Sequence, residues 1–271
     1  MKKWFFLLLT ALLLTLCLTA AHAQELRVDF YDMGKADAML ITAPDGTRIL
    51  IDTGTNKGGK ALVERFERGK IGPIDVLIIT HYDKDHVGGA DKIIEDIGVR
   101  EVYMPVYEKD GKQYEQFVEA LEAGGVVQHP IRTKENVQVP LDGVTMTISA
   151  AHETFYGRDE ENDFSLCVRM TYGDTRFLFP GDAEAPRQYE LLEEGDIACD
   201  VLKVPYHGRM TAASPKFLAE ASPKIAFVPD GPEEPASGEL VRILEELGAD
   251  VYLGREGGIS VVSDGQRVRV Q

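Results

Sequence analysis

Apolar and polar positions alternate in short stretches along most of this 271-residue chain. Residues 26–31 alternate with a period of two, which predicts a strand with one buried face. Residues 38–42 resume that pattern. Pro44-Asp-Gly46 is a turn signal, so residues 48–52 pair back as a hairpin. Residues 76–80 form a continuous apolar run, read as a buried strand, and residues 101–104 and 144–149 predict further strands. A second hairpin joins 165–172 to 176–179 through Gly173-Asp174. Residues 61–68, 90–96, 113–123 and 183–194 read as helices, the last tolerating Pro186 in its first turns. The remainder predicts strand 200–204, a helix from Pro215, strand 224–228, helix 238–247 and strand 251–253, then terminal strands. Hairpins and helices mix in both halves, with polar clusters at strand ends. That layout predicts an α+β fold: two mixed sheets face to face with helices outside, an α/β/β/α four-layer sandwich forming one domain over 24–271.

Residues 1–23 stand apart from this pattern. Lys2 and Lys3 precede an apolar run and an Ala21-His-Ala23 cleavage site, which reads as a signal peptide of an exported protein, with an uncleaved anchor or lipoprotein as the alternative. No transmembrane domain is expected after cleavage. The formal net charge of −16 opposes a stable complex with nucleic acid, yet permits a nuclease whose metal ions meet the phosphates. Cys167 and Cys199 lie in or beside strand-like runs and read as buried free thiols, with a disulfide as the alternative.

The chemistry concentrates after the buried run at 76–80. His81, Asp83, Asp85 and His86 follow it within six residues, and Gly88-Gly89 then lets the backbone crowd past them. Imidazoles and carboxylates this dense, displayed on a loop rooted in a buried strand, are a set of hard and borderline metal ligands. Asp37, Asp52, Asp182 and His207 also lie at strand ends, each unremarkable alone.

The motif His81-x-Asp83-x-Asp85-His86-x-Gly-Gly resembles the metal signature of metallo-beta-lactamase-fold hydrolases, usually His-x-His-x-Asp-His. With Asp83 at the second histidine position, it is similar to the hydrolase domain of ComEC-type competence proteins. Further motifs extend the resemblance over most of the chain after residue 25. Gly34-Lys35-Ala36-Asp37 resembles a Gly-x-Gly-Asp loop, with Ala36 replacing the second glycine. Gly181-Asp182 resembles the bridging aspartate, Tyr206-His207-Gly208 a His-His-Gly motif with Tyr206 replacing the first histidine, and Asn162-Asp163-Phe-Ser165 an Asn-rich segment.

The resemblance implies two divalent metal ions, Zn or Mn. One would be held by His81, Asp83 and Asp182, and the other by Asp85, His86, Asp182 and His207. His152 is the candidate for a further histidine on the first metal. Asp52 would orient a ligand imidazole, and Asp37, Lys35 and Asn162 would stand in support or toward substrate. Asp83 makes the first position more oxygen-rich, suiting Mn²⁺. Asp85 and Asp182 are the expected catalytic carboxylates, with Asp85 as a proton acceptor. Lys84 and Arg209 are candidates to bind phosphate, and His129, beside Pro130, reads as surface. The implied function is a metal-dependent hydrolase, a phosphodiesterase or nuclease using metal-bound hydroxide. A small-molecule ester or lactone hydrolase, and a non-catalytic exported binding protein, are the alternatives.

Overall fold

The computed structural model describes residues 25–107, 109–157 and 161–271; the signal-peptide reading of 1–23 lies outside them. The chain opens with three antiparallel strands, β1 (Leu26–Phe30), β2 (Met39–Thr42) and β3 (Arg48–Ile51). Helix α1 (Asn56–Gly69) follows, several residues longer than the periodicity predicts, because the Thr55 hydroxyl accepts from Gly58 N and caps an earlier start. Then come β4 (Ile74–Ile78), α2 (Ala90–Lys92, running on as a π turn over Ile93–Ile97), β5 (Val99–Pro105), α3 (Lys112–Gly124) and β6 (Val127–Ile131).

The second half begins with the antiparallel run β7 (Asn136–Val139), β8 (Thr145–Ser149), β9 (Cys167–Tyr172) and β10 (Thr175–Phe179). It continues through α4 (Ala185–Glu194), β11 (Val201–Lys203), α5 (Ser214–Ala221), β12 (Ile225–Val228), α6 (Gly238–Glu246) and β13 (Asp250–Leu253). Strands β14 (Ile259–Ser263) and β15 (Val268–Val270) return to the first sheet.

The strands form an eight-stranded sheet, ordered β15-β14-β1-β2-β3-β4-β5-β6, and a seven-stranded sheet, ordered β13-β12-β11-β10-β9-β8-β7. Both are mixed: β3 to β6 and β10 to β13 run parallel, the other pairs antiparallel.

Strand alternation sorts the core into three layers. Phe30, Ile51, Ile78, Phe179 and Phe227 pack between the sheets. Leu50, Leu77 and Ile79 face the other way onto α1 to α3, with Phe66 and Phe117. Leu178, Leu202 and Ala226 pack outward with Phe217 and Leu240 of α5 and α6. Each fully buried Leu, Ile or Phe adds roughly 1.5–3 kcal/mol of transfer free energy, which binds helix to sheet and sheet to sheet. This is the α/β/β/α sandwich that the periodicity predicts. Cys167 and Cys199 are free and buried in the outer layer of the second sheet.

Strands β6 and β7 have no counterpart in the predicted elements, since Pro130 interrupts one pattern and polar residues the other. Both are edge strands, where a proline costs no ladder bond on its free side. His129 is therefore not an isolated surface residue. Its ring stacks on Tyr103 at 4.4 Å, and its Nε2 lies 2.9 Å from Glu101. Among the described residues, no helix is long and apolar enough to cross a membrane.

Candidate metal centre

The loops after parallel strands β3, β4, β10 and β11 meet where the two sheets come together. Asp52 follows β3, residues 81–86 follow β4, Asp182 follows β10 and His207 follows β11. Ligand atoms of Asp37, His86, Asp182 and His207, all buried, lie within 4.8 Å of one another.

Backbone bonds tie the loops into one body. Thr53 N donates to His86 O at 2.8 Å, Asp37 N to Asp85 O at 3.1 Å, and Gly54 N to Asp37 O at 2.7 Å. Gly89 makes that approach possible, for a Cβ there would stand 2.5 Å from Thr53 O and 2.6 Å from Gly59 Cα. Asp52 and His207 have positive φ, 56° and 50°, a conformation costly for residues with a Cβ. The strain thus sits on a candidate ligand and on a residue that holds one.

The imidazoles are oriented from behind. Asp52 Oδ2 lies 2.8 Å from His86 Nδ1, and the same carboxylate accepts from Thr80 N at 2.8 Å and Thr80 Oγ1 at 2.7 Å. His207 Nδ1 lies 2.8 Å from Pro229 O, and His81 Nδ1 lies 3.1 Å from Thr80 Oγ1. Each Nδ1 is engaged; the Nε2 atoms of His81 and His86 are buried without a hydrogen-bond partner, and that of His207 faces a carboxylate of the same cluster. Unpartnered buried imidazole nitrogens beside carboxylates are what a divalent cation would satisfy. The residues fit the metal.

Around them, Asp182 Oδ2 lies 2.8 Å from His207 Nε2 and 3.3 Å from His86 Nε2. Asp85 Oδ2 lies 3.4 Å from His207 Nε2 and 3.1 Å from Lys35 Nζ. Burial opposes the charge on Asp182, but His207, Lys203 and His86 hold its carboxyl well below the usual range. Burial likewise opposes charge on His207, yet Asp182 and Asp85 lift it to about 9. His81, buried and beside His86, falls to about 4. Asp83 stands apart: partly exposed, 3.9 Å from His81 Nε2, it is ion-paired with Lys109, which also holds Glu161.

Other residues read from the sequence are placed away from this group. His152 Nε2 lies 3.0 Å from Glu194, Asn162 Nδ2 donates to Glu184 Oε1 at 2.7 Å, and Arg209 pairs with Glu234 at 2.7 Å. Asp37, read as a supporting carboxylate, lies instead among the four converging residues.

Sequence reasoning missed Lys203. It is fully buried in β11, with Nζ 2.5 Å from Asp37 Oδ2, 3.0 Å from Asp182 Oδ1 and 2.7 Å from Gly181 O. The available signal was a lysine inside the apolar run Val-Leu-Lys-Val, which burial forces to find an acid. Ser165, the last residue of the Asn162–Ser165 segment, steadies the same aspartate: its Oγ accepts from Asp182 N at 3.0 Å.

The chain is similar to known proteins in sequence and in fold. ComE operon protein 3 of Bacillus subtilis is 26% identical over 228 residues, 77% of this chain and 29% of the relative. Recombination protein 2 of Haemophilus influenzae is 27% identical over 245 residues, 87% of this chain and 29% of the relative. The chain therefore spans about three-tenths of the length of these ComEC-type relatives. The metallo-beta-lactamase fold protein YhfI from Bacillus subtilis shares the fold, with a TM-score of 0.58 at 13% identity, covering 86% of this chain and 98% of YhfI. The family model described as the metallo-beta-lactamase superfamily matches residues 31–229. The chain belongs to the metallo-beta-lactamase superfamily and is a metal-dependent hydrolase of that fold.

Proposed function

We propose that this protein is an exported phosphodiesterase that works through two divalent metal ions at the loop cluster. The observation that carries the reading is the convergence of the buried Nε2 atoms of His86 and His207 on Asp182, with Asp37 in the same group. Asp37, Asp85, His86, Asp182 and His207 would hold one ion, and His81 and Asp83 would contribute to an outer one. Bound there, the ions would supply Lewis acidity and a water of lowered pKa.

The chain's own residues do the rest. Asp52 and Pro229 O fix two imidazoles by their Nδ1 atoms, so Nε2 points inward. Lys203 balances charge on Asp37 and Asp182 from behind. Asp85, flanked by Lys35 and His207, stays ionised and is a weak base. We therefore assign it to holding charge rather than to accepting a proton. The ComEC-type relatives support a phosphodiester substrate. Export rests on the composition of residues 1–23. A small ester or lactone substrate is the second reading, favoured by the net charge of −16. Comparing metal-dependent turnover of a phosphodiester with that of a carboxylic ester separates the two.

A further inference from the structure

We propose that Asp230 and Arg255 are positioning residues of the metal centre, acting through the Pro229 carbonyl on the imidazole of His207. The inference rests on His207 being a metal ligand.

The turn that presents this imidazole is strained. Tyr206 and His207 both have positive φ, 51° and 50°. Two such residues in succession persist only where contacts from outside the turn hold them. Those contacts come from one segment. The Pro229 carbonyl, 2.8 Å from His207 Nδ1, can only accept, so the proton sits on Nδ1 and the Nε2 lone pair is left for a cation. Ser237 N donates to Gly208 O at 2.9 Å, and Val204 N, just before the turn, donates to Phe227 O at 2.8 Å. Gly208 is pressed against the same segment: a Cβ there would stand 2.6 Å from Val228 Cγ1 and 2.7 Å from Ala236 Cβ. His207 is therefore held only as firmly as residues 227–237.

Asp230 makes that segment firm. It is fully buried, at the start of the loop between β12 and α6. Its carboxylate accepts from Ala236 N at 2.9 Å, which closes the loop on itself, and from Arg255 N at 3.2 Å. The Arg255 guanidinium bonds the same carboxylate from the turn Gly254–Glu256 that follows β13. Gly254 permits the approach, since a Cβ on it would stand 3.1 Å from both Asp230 N and Asp230 O. A buried carboxylate needs a paired cation. Here the pairing also locks the loop that carries Pro229 O onto the turn after β13.

The test is isothermal titration of Mn²⁺ into metal-free protein, with circular dichroism to confirm that each variant is folded. The Arg255 side chain is 30% exposed, so Arg255→Ala admits water rather than leaving a sealed cavity. We expect Mn²⁺ affinity to fall roughly 10- to 100-fold, with Arg255→Lys restoring most of it. In His207→Ala there is no imidazole to position, so adding Arg255→Ala should cost little more. Arg255→Gln, which keeps a donor without the charge, takes the place of Arg255→Ala if that variant does not fold. Wild-type affinity in the Arg255 variant would overturn the inference. So would an equal fold-loss with and without His207, which is what a general loosening of the fold gives. If His207→Ala itself binds Mn²⁺ normally, the ligand assignment falls; if it binds weakly while the Arg255 variant binds normally, only the positioning role falls.

Discussion

The ammonium group of Lys203 lies 2.5 Å from Asp37 Oδ2, and both side chains are fully buried. A charge in such surroundings is tolerable only while paired, and Lys203 reaches Asp182 and Gly181 O as well. Lys203→Met leaves Asp37 buried and uncompensated. We expect a loss of about 3–5 kcal/mol in metal-free stability, read from urea unfolding. The double change Lys203→Met with Asp37→Asn should recover part of that loss; an additive double mutant would contradict the pairing.

Asp52 acts through His86. Its carboxylate holds Nδ1 at 2.8 Å while Thr80 holds the carboxylate. Replacing it by Asn keeps the shape and removes the charge. Metal affinity should fall roughly 10- to 100-fold, measured by isothermal titration, while the melting temperature of the metal-free protein changes far less. Unchanged affinity would show that His86 needs no such support.

The metal-free protein should have a stability maximum near neutral pH. His207 is raised to about 9, so its contribution is complete below its ordinary 6.5 and is lost as pH rises through 9. His81 is lowered to about 4, so it is neutral in the native state above its ordinary value. Its contribution is lost as pH falls from 6.5 through 4. Urea midpoints of chelator-treated protein across this range check both limbs. Because metal must displace the proton on His207, apparent metal affinity should also rise with pH up to about 9.

Gly89 is required by contact. Its missing Cβ would meet the backbone at Thr53 and Gly59, so Gly89→Ala must push apart the loops carrying His86 and Asp52. A cost of about 1–3 kcal/mol is expected, accompanied by weaker metal binding. A normal unfolding midpoint would mean the loops can shift freely.

Much of this was legible in the sequence. Alternation marked the hairpins β2–β3 and β9–β10, and the apolar run at 76–80 placed the ligand loop at a strand end. His81, Asp83, Asp85 and His86 were visible because they are dense and local. Lys203 was not, because its partners Asp37 and Asp182 come close only when the two sheets pack. His152 looked well placed by order along the chain, yet Glu194 of α4 engages it. The edge strands β6 and β7 escaped notice because edge positions tolerate the proline and polar residues that interior strands exclude.

In the proposed function, Asp182 and the histidines around it hold catalytic metal for phosphodiester cleavage. The most direct test is turnover of bis-(p-nitrophenyl) phosphate by the purified protein, metal-free and loaded with Mn²⁺ or Zn²⁺, beside Asp182→Ala. We predict turnover that requires metal and falls at least roughly 10²- to 10³-fold in the variant. Metal-independent turnover, full activity in Asp182→Ala, or a metal-loaded wild type that leaves the phosphodiester intact would rule this function out.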